Sequence, residues 1–92
     1  MLYKRKENYL LKEIAGDNIL IARGDEALVV KGVFVFNETG ATIWNAMNNA
    51  VSEDDLSDIL VTSYGIEKKQ AEMDVSAFIK KMQENQLIEI IG

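Results

Sequence analysis

The stretch Gly32-Val33-Phe34-Val35-Phe36-Asn37-Glu38-Thr39-Gly40-Ala41-Thr42-Ile43-Trp44 changes from a strand pattern to the start of a helix within one residue. Val33, Phe34, Val35 and Phe36 are β-branched or aromatic, as a pleated, half-buried surface prefers, and Asn37 offers the side-chain oxygen that a helix N-cap needs. A strand therefore feeds directly into a helix. At the edge of a sheet, such a strand presents unpaired amides and carbonyls on which an extended peptide adds a further strand. The residues alone leave open whether Val33 to Phe36 is that edge or a central strand paired on both sides.

The chain has neither cysteine nor histidine. That excludes thiol nucleophiles, disulfides, zinc sites of the usual Cys/His kind and imidazole acid-base catalysis, and most enzyme mechanisms with them. Ninety-two residues suit one domain spanning 1–92, large enough to bury a core without disulfides or metal. Lys4, Arg5 and Lys6 imitate the start of a signal peptide, but Glu7, Asn8, Lys12 and Glu13 leave no apolar segment after them. No segment approaches the roughly 20 apolar residues that span a bilayer. The expected location is the cytoplasm. A net charge of −5 raises the electrostatic cost of approaching nucleic acid.

Strands come first and helices second. Tyr9 to Ile14 and Asn18 to Ala22 read as an antiparallel hairpin turned at Gly16-Asp17-Asn18, with Ile19 and Ile21 on one face and Leu20 on the other. Gly24-Asp25-Glu26 marks a second turn, and Ala27 to Val30 reads as either a short strand or a loop. The strand from Val33 to Phe36 completes a sheet of at least three strands. The first helix runs from about Glu38 to about Asn48, with Gly40 and Trp44 four apart, a small residue beneath a large ring. Ser52-Glu53-Asp54-Asp55 resembles a capping box, Leu56, Ile59, Leu60 and Tyr64 recur at helical spacing, and Gly65 stops the second helix. The third runs from about Glu67 to Asn85 with Ala71, Val75, Phe78, Ile79 and Met82 on one stripe. Leu87 to Ile91 forms either a terminal strand or an extended tail. The fold class is α+β: an N-terminal three-stranded antiparallel sheet, then three helices, in a winged helix-turn-helix-like arrangement.

Several of these features have plain structural explanations. Trp44 and Tyr64 read as core. Glu53, Asp54, Asp55 and Asp58 lack the glycine and distal glutamate of a calcium loop and read as complements to a helix dipole, so no metal or other cofactor is expected.

Glu13-Ile14-Ala15-Gly16, Phe36-Asn37-Glu38-Thr39-Gly40-Ala41-Thr42-Ile43-Trp44 and Asp74-Val75-Ser76-Ala77-Phe78-Ile79 before Leu87-Ile88, in this order and spacing, resemble the PqqD family. This is the pyrroloquinoline-quinone biosynthesis protein D family, the peptide-recognition element of ribosomal peptide maturation. The resemblance covers nearly the whole chain, except that Gly24 to Lys31 does not match. It implies a small peptide-binding chaperone without catalytic activity, which holds the leader of a precursor peptide and presents it to a modifying enzyme, often a radical-SAM protein. The leader would add beside the strand and pack against the third helix. Carried onto this sequence, the groove is walled by Val33, Phe34, Val35 and Phe36 on one side and by Asp74, Phe78, Lys81 and Met82 on the other.

Two other functions compete with this one. A winged-helix DNA-binding protein suits the second and third helices, but Lys68, Lys69, Lys80 and Lys81 are opposed by Glu67, Glu72, Asp74 and Glu84, leaving no basic face for phosphates. A scaffold subunit that docks a partner enzyme without binding peptide is the other alternative. Nothing in the residues fixes an oligomeric state.

Overall fold

The structure is a computed structural model that describes residues 1–23 and 34–92. It opens with a strand not expected from the residue pattern, β1 (Leu2–Arg5). The expected hairpin follows as β2 (Tyr9–Ile14) and β3 (Asp17–Ala22), and β4 (Phe34–Phe36) pairs antiparallel with β3 to give the order β2-β3-β4. Three helices follow: α1 (Glu38–Ala46), α2 (Glu53–Tyr64) and α3 (Lys68–Glu84). The last strand, β5 (Ile88–Ile91), pairs antiparallel with β1. The α+β arrangement of a three-stranded antiparallel sheet and three helices is as expected, and the β1-β5 ribbon is an addition to it. The turn at Gly24-Asp25-Glu26, the alternatives for Ala27 to Val30, and Gly32 and Val33 lie outside the described residues.

The hairpin turn sits one residue earlier than the sequence suggested. Ile14 already pairs with Asp17, so the turn is Ala15-Gly16, with φ of 52° and 86°. Positive φ at both central residues is what a type I′ two-residue hairpin loop demands, and its backbone twist matches the strands it joins. Gly16 meets the demand at little cost, whereas Ala15 holds a left-handed conformation against its own Cβ.

Helix ends follow local chemistry. Asn37 caps α1 by accepting the Gly40 amide at 2.8 Å, and Ser52 and Asp55 form a reciprocal capping box at the start of α2. α1 ends at Ala46, short of the expected Asn48, because β1 crosses its end. The Arg5 amide donates to the Met47 carbonyl at 3.0 Å and the Arg5 guanidinium to the Trp44 carbonyl at 3.3 Å. Gly65, at φ 65°, closes α2 and donates to the Val61 carbonyl. α3 ends in a Schellman motif with no glycine. Gln86 takes φ 58° and donates to the Gln83 carbonyl, while Leu87 donates to that of Met82.

The core lies between sheet and helices. Trp44 is 1% exposed and meets Tyr9 edge-on at 6.3 Å and Phe36 at 5.8 Å. Met47, Leu56, Leu60, Val75, Met82 and Leu87 are fully buried around it. Trp44 is thus core, as its helical position implied, and truncating such a side chain costs roughly 3–5 kcal/mol. Tyr64 is only half-buried, and its hydroxyl shares a hydrogen bond of 2.6 Å with Thr42 Oγ1. Gly40 is buried as expected, but beneath a different ring: a Cβ there would meet Phe78 Cε2 at 3.3 Å and Phe36 Cβ at 3.4 Å. The partner across the interface, on α3, was invisible to spacing within α1.

Candidate functional site

β4 is short, and among the described residues it pairs with β3 alone, through Asn18 with Phe36, Ile19 with Val35 and Leu20 with Phe34. Side chains alternate across a strand, so Phe34 and Phe36 turn one way and Val35 the other. Phe36 is buried and Phe34 packs on the core, while Val35 is 56% exposed. That exposure of a β-branched residue beside a helix is the first mark of a surface built to be covered.

A groove of about 470 Å³ runs between β4 and α3. Val35 and Phe36 form the strand wall; Asp74, Ala77, Phe78 and Lys81 form the helix wall. Gly40 and Ile43 of α1 lie along it, and buried Met82 closes it from beneath. The helix wall exists because 74, 77, 78, 81 and 82 fall on one face at spacings of three and four. Phe78 is held by an edge-to-face contact with Phe36, ring centroids 5.4 Å apart, which fixes the width of the groove at its apolar middle. Asn37 and Thr39 make the rim polar, with Asn37 Oδ1 accepting from both the Gly40 amide and Thr39 Oγ1.

Val35, Phe36, Asp74, Phe78, Lys81 and Met82, six of the residues assigned to the groove from the sequence, come together here. Phe34 does not line the groove, since its partly buried ring packs against the core. Val33 lies outside the described residues. Asn37, Thr39, Gly40, Ile43 and Ala77 line it without having been singled out. Ala77 was accessible to sequence reasoning, being three residues after Asp74 and four before Lys81. Nothing in the order of residues placed the first turn of α1 beside α3.

The groove is chemically mixed. It joins a strand edge capable of main-chain hydrogen bonds to apolar recesses and to a charge of each sign. Elsewhere, among the described residues, the ion pairs centre on Lys68. Lys68 Nζ lies 2.9 Å from Asp54 Oδ1 and bonds Asp58, so the acidic start of α2 is tied to the start of α3. Those bonds push the Lys68 pKa up to about 12. The Tyr3 hydroxyl donates to Glu53 at 3.3 Å, and burial first, then the Glu53 charge, raises its pKa. Among the described residues, no group of three or more carboxylates is disposed to hold a metal ion. A second recess, of about 550 Å³, lies where the β2-β3 turn meets α1 and includes Glu13, Asp17 and Glu38. Among the described residues, no helix is long and apolar enough to cross a membrane.

Known proteins share this chain's sequence pattern and fold. Residues 20–88 match the family model for coenzyme PQQ synthesis protein D (PqqD). Among solved structures, the chain is similar to a lasso peptide synthetase B1 complexed with the leader peptide, with TM-score 0.72 and 19% identity over 96% of this chain and 98% of that one. It is also similar to TbiB1 in complex with the TbiA(beta) leader peptide, with TM-score 0.74 and 16% identity over 97% and 98% of the two chains. At these identities the likeness is one of fold. No curated protein matches the sequence.

Proposed function

Because this chain belongs to the PqqD family, we propose that it is a non-catalytic peptide chaperone that binds the leader of a ribosomally made precursor by strand addition. The groove between β4 and α3 carries this reading. A leader strand laid along β4 continues the β2-β3-β4 sheet, gaining backbone hydrogen bonds that tolerate many sequences, while its alternate side chains enter the recesses around Phe78 and supply selectivity. Val35, Phe36, Asp74, Phe78, Lys81 and Met82 are the contact residues, and Phe34 belongs to the same strand. The solved structures of the same fold hold leader peptides, which supports this use of the groove. The bound precursor is presented to a modifying enzyme in the cytoplasm, with a radical-SAM protein the first to test.

The DNA-binding alternative is disfavoured by charge. Lys68 is engaged by Asp54 and Asp58, and Lys81 shares its helix face with Asp74, so α3 offers phosphates no basic stripe. A gel shift in low salt should show no retardation. For the leading function, calorimetric titration with precursor peptides encoded beside this gene should give micromolar or tighter binding, and hydrogen exchange should show new protection in β4. A chain that binds the neighbouring enzyme but no neighbouring precursor is a scaffold, and the proposal then fails.

A further inference from the structure

Building on the peptide reading above, we infer that the groove selects an extended segment whose inward-facing residues run charge, apolar, opposite charge, and that this order sets the direction in which the peptide lies. Asp74 and Lys81 stand on the same wall, with Ala77 and Phe78 between them. At 1.5 Å per residue, seven residues of α3 separate their Cα atoms by about 10.5 Å along the helix axis. An extended chain advances about 3.3 Å per residue and turns alternate side chains to one side, so its inward residues are spaced at about 7 Å and about 13 Å. The shorter spacing leaves no room for an apolar side chain against Phe78. The longer differs from the Asp74 to Lys81 separation by only about 2.5 Å, within the reach of a flexible lysine stem. A basic residue facing Asp74, an apolar one facing Phe78 and an acidic one facing Lys81 therefore fit as every second residue.

Neither charge is already neutralised. Lys81 is exposed and makes no ion pair among the described residues, in contrast to Lys68. The half-buried Asp74 accepts a hydrogen bond from Gln70 Nε2 at 2.9 Å, and this neutral donor orients the carboxylate without cancelling its charge. Backbone pairing to a strand edge accepts a peptide running either way, so a charge of each sign at the two ends of the apolar recess supplies the missing polarity.

The test uses synthetic peptides of about seven residues, with threonine at outward positions. Their inward residues are lysine-leucine-glutamate, glutamate-leucine-lysine or glutamine-leucine-glutamine. Each is titrated into isotope-labelled protein while the amide resonances of Val35 and Gly40 are followed. Both charged orders should bind about fivefold tighter than the neutral peptide, as two partly screened pairs of about 0.5 kcal/mol each provide, but in opposite directions, so that a nitroxide on the peptide N-terminus broadens the Asp74 amide with lysine-leucine-glutamate and the Lys81 amide with the reverse. The gap should close at about 0.5 M salt. In the variant carrying both Asp74→Lys and Lys81→Asp, the two directions should exchange. Equal affinity for all three peptides, or unchanged directions in the exchanged variant, overturns the charge-order inference while the moving resonances leave peptide binding in place. If no peptide shifts Val35 or Gly40 at millimolar concentration, the groove itself is refuted and both readings fall.

Discussion

Phe78 serves two purposes in the structure, and replacing it by alanine separates them. Its ring packs edge-to-face on Phe36 and lies over Gly40, where no side chain fills the space beneath it. Truncating a fully buried phenylalanine costs about 3–5 kcal/mol. Phe78 is only half-buried, so about half of that applies, roughly 2 kcal/mol with the ring pair included. For a domain of this size, 2 kcal/mol lowers the melting temperature by about 10 °C. The same truncation removes apolar wall from the groove; losing about 50 Å² of peptide contact at 25 cal/mol per Å² weakens leader binding by about tenfold. Thermal unfolding followed by circular dichroism measures the first effect, and calorimetric titration well below the melting temperature measures the second. Phe78→Leu keeps most of the volume and should recover most of the stability. A melting temperature within 2 or so degrees of wild type would refute the packing assignment, and unchanged affinity in a folded Phe78→Ala protein would move the binding site away from α3.

Three further outcomes are expected. Val35→Lys places a charge on an exposed edge residue, a device that blocks strand addition, so stability should stay within about 0.5 kcal/mol of wild type while leader affinity falls about tenfold, checked by the same melting and titration experiments. Gln86→Gly relieves a left-handed residue in the Schellman turn after α3 and should raise stability by about 0.5–1 kcal/mol in urea unfolding, with no change in peptide binding. Tyr3 and Lys68 both have folded pKa values raised above their ordinary 10.0 and 10.5, so the stability they contribute is complete below pH 10 and is lost as pH rises through the folded values. Melting temperature should therefore fall above pH 10, and Tyr3→Phe, which keeps the ring and deletes the titrating hydroxyl, should flatten that fall; an identical alkaline slope would refute the role of Tyr3.

Much of the fold was legible because the relevant forces are local. The Val-Phe alternation before Asn37, the Ser52 capping box and Gly65 each act within a turn or two of themselves, and each produced its element. Where local signals are weak, long-range pairing decides instead. Gly16-Asp17-Asn18 are residue types that favour turns, yet pairing between Ile14 and Asp17 sets the turn at Ala15-Gly16 and forces Ala15 to carry a positive φ. β1 escaped notice because Lys4 and Arg5 hide its pattern; it forms because Tyr3 and Val51 exchange backbone hydrogen bonds and β5 offers a pairing edge.

By itself, the sequence determined the order of strand and helix, the absence of cysteine and histidine chemistry, and the helical face that carries Asp74, Phe78, Lys81 and Met82, because composition and periodicity are properties of neighbours along the chain. Only the tertiary structure decided that β4 pairs, among the described residues, with β3 alone, that Phe34 turns to the core while Val35 faces outward, and that Gly40 of α1 lies under Phe78 of α3. Those are contacts between segments far apart in the chain. Their geometry depends on how whole elements pack, and no spacing within one element encodes it.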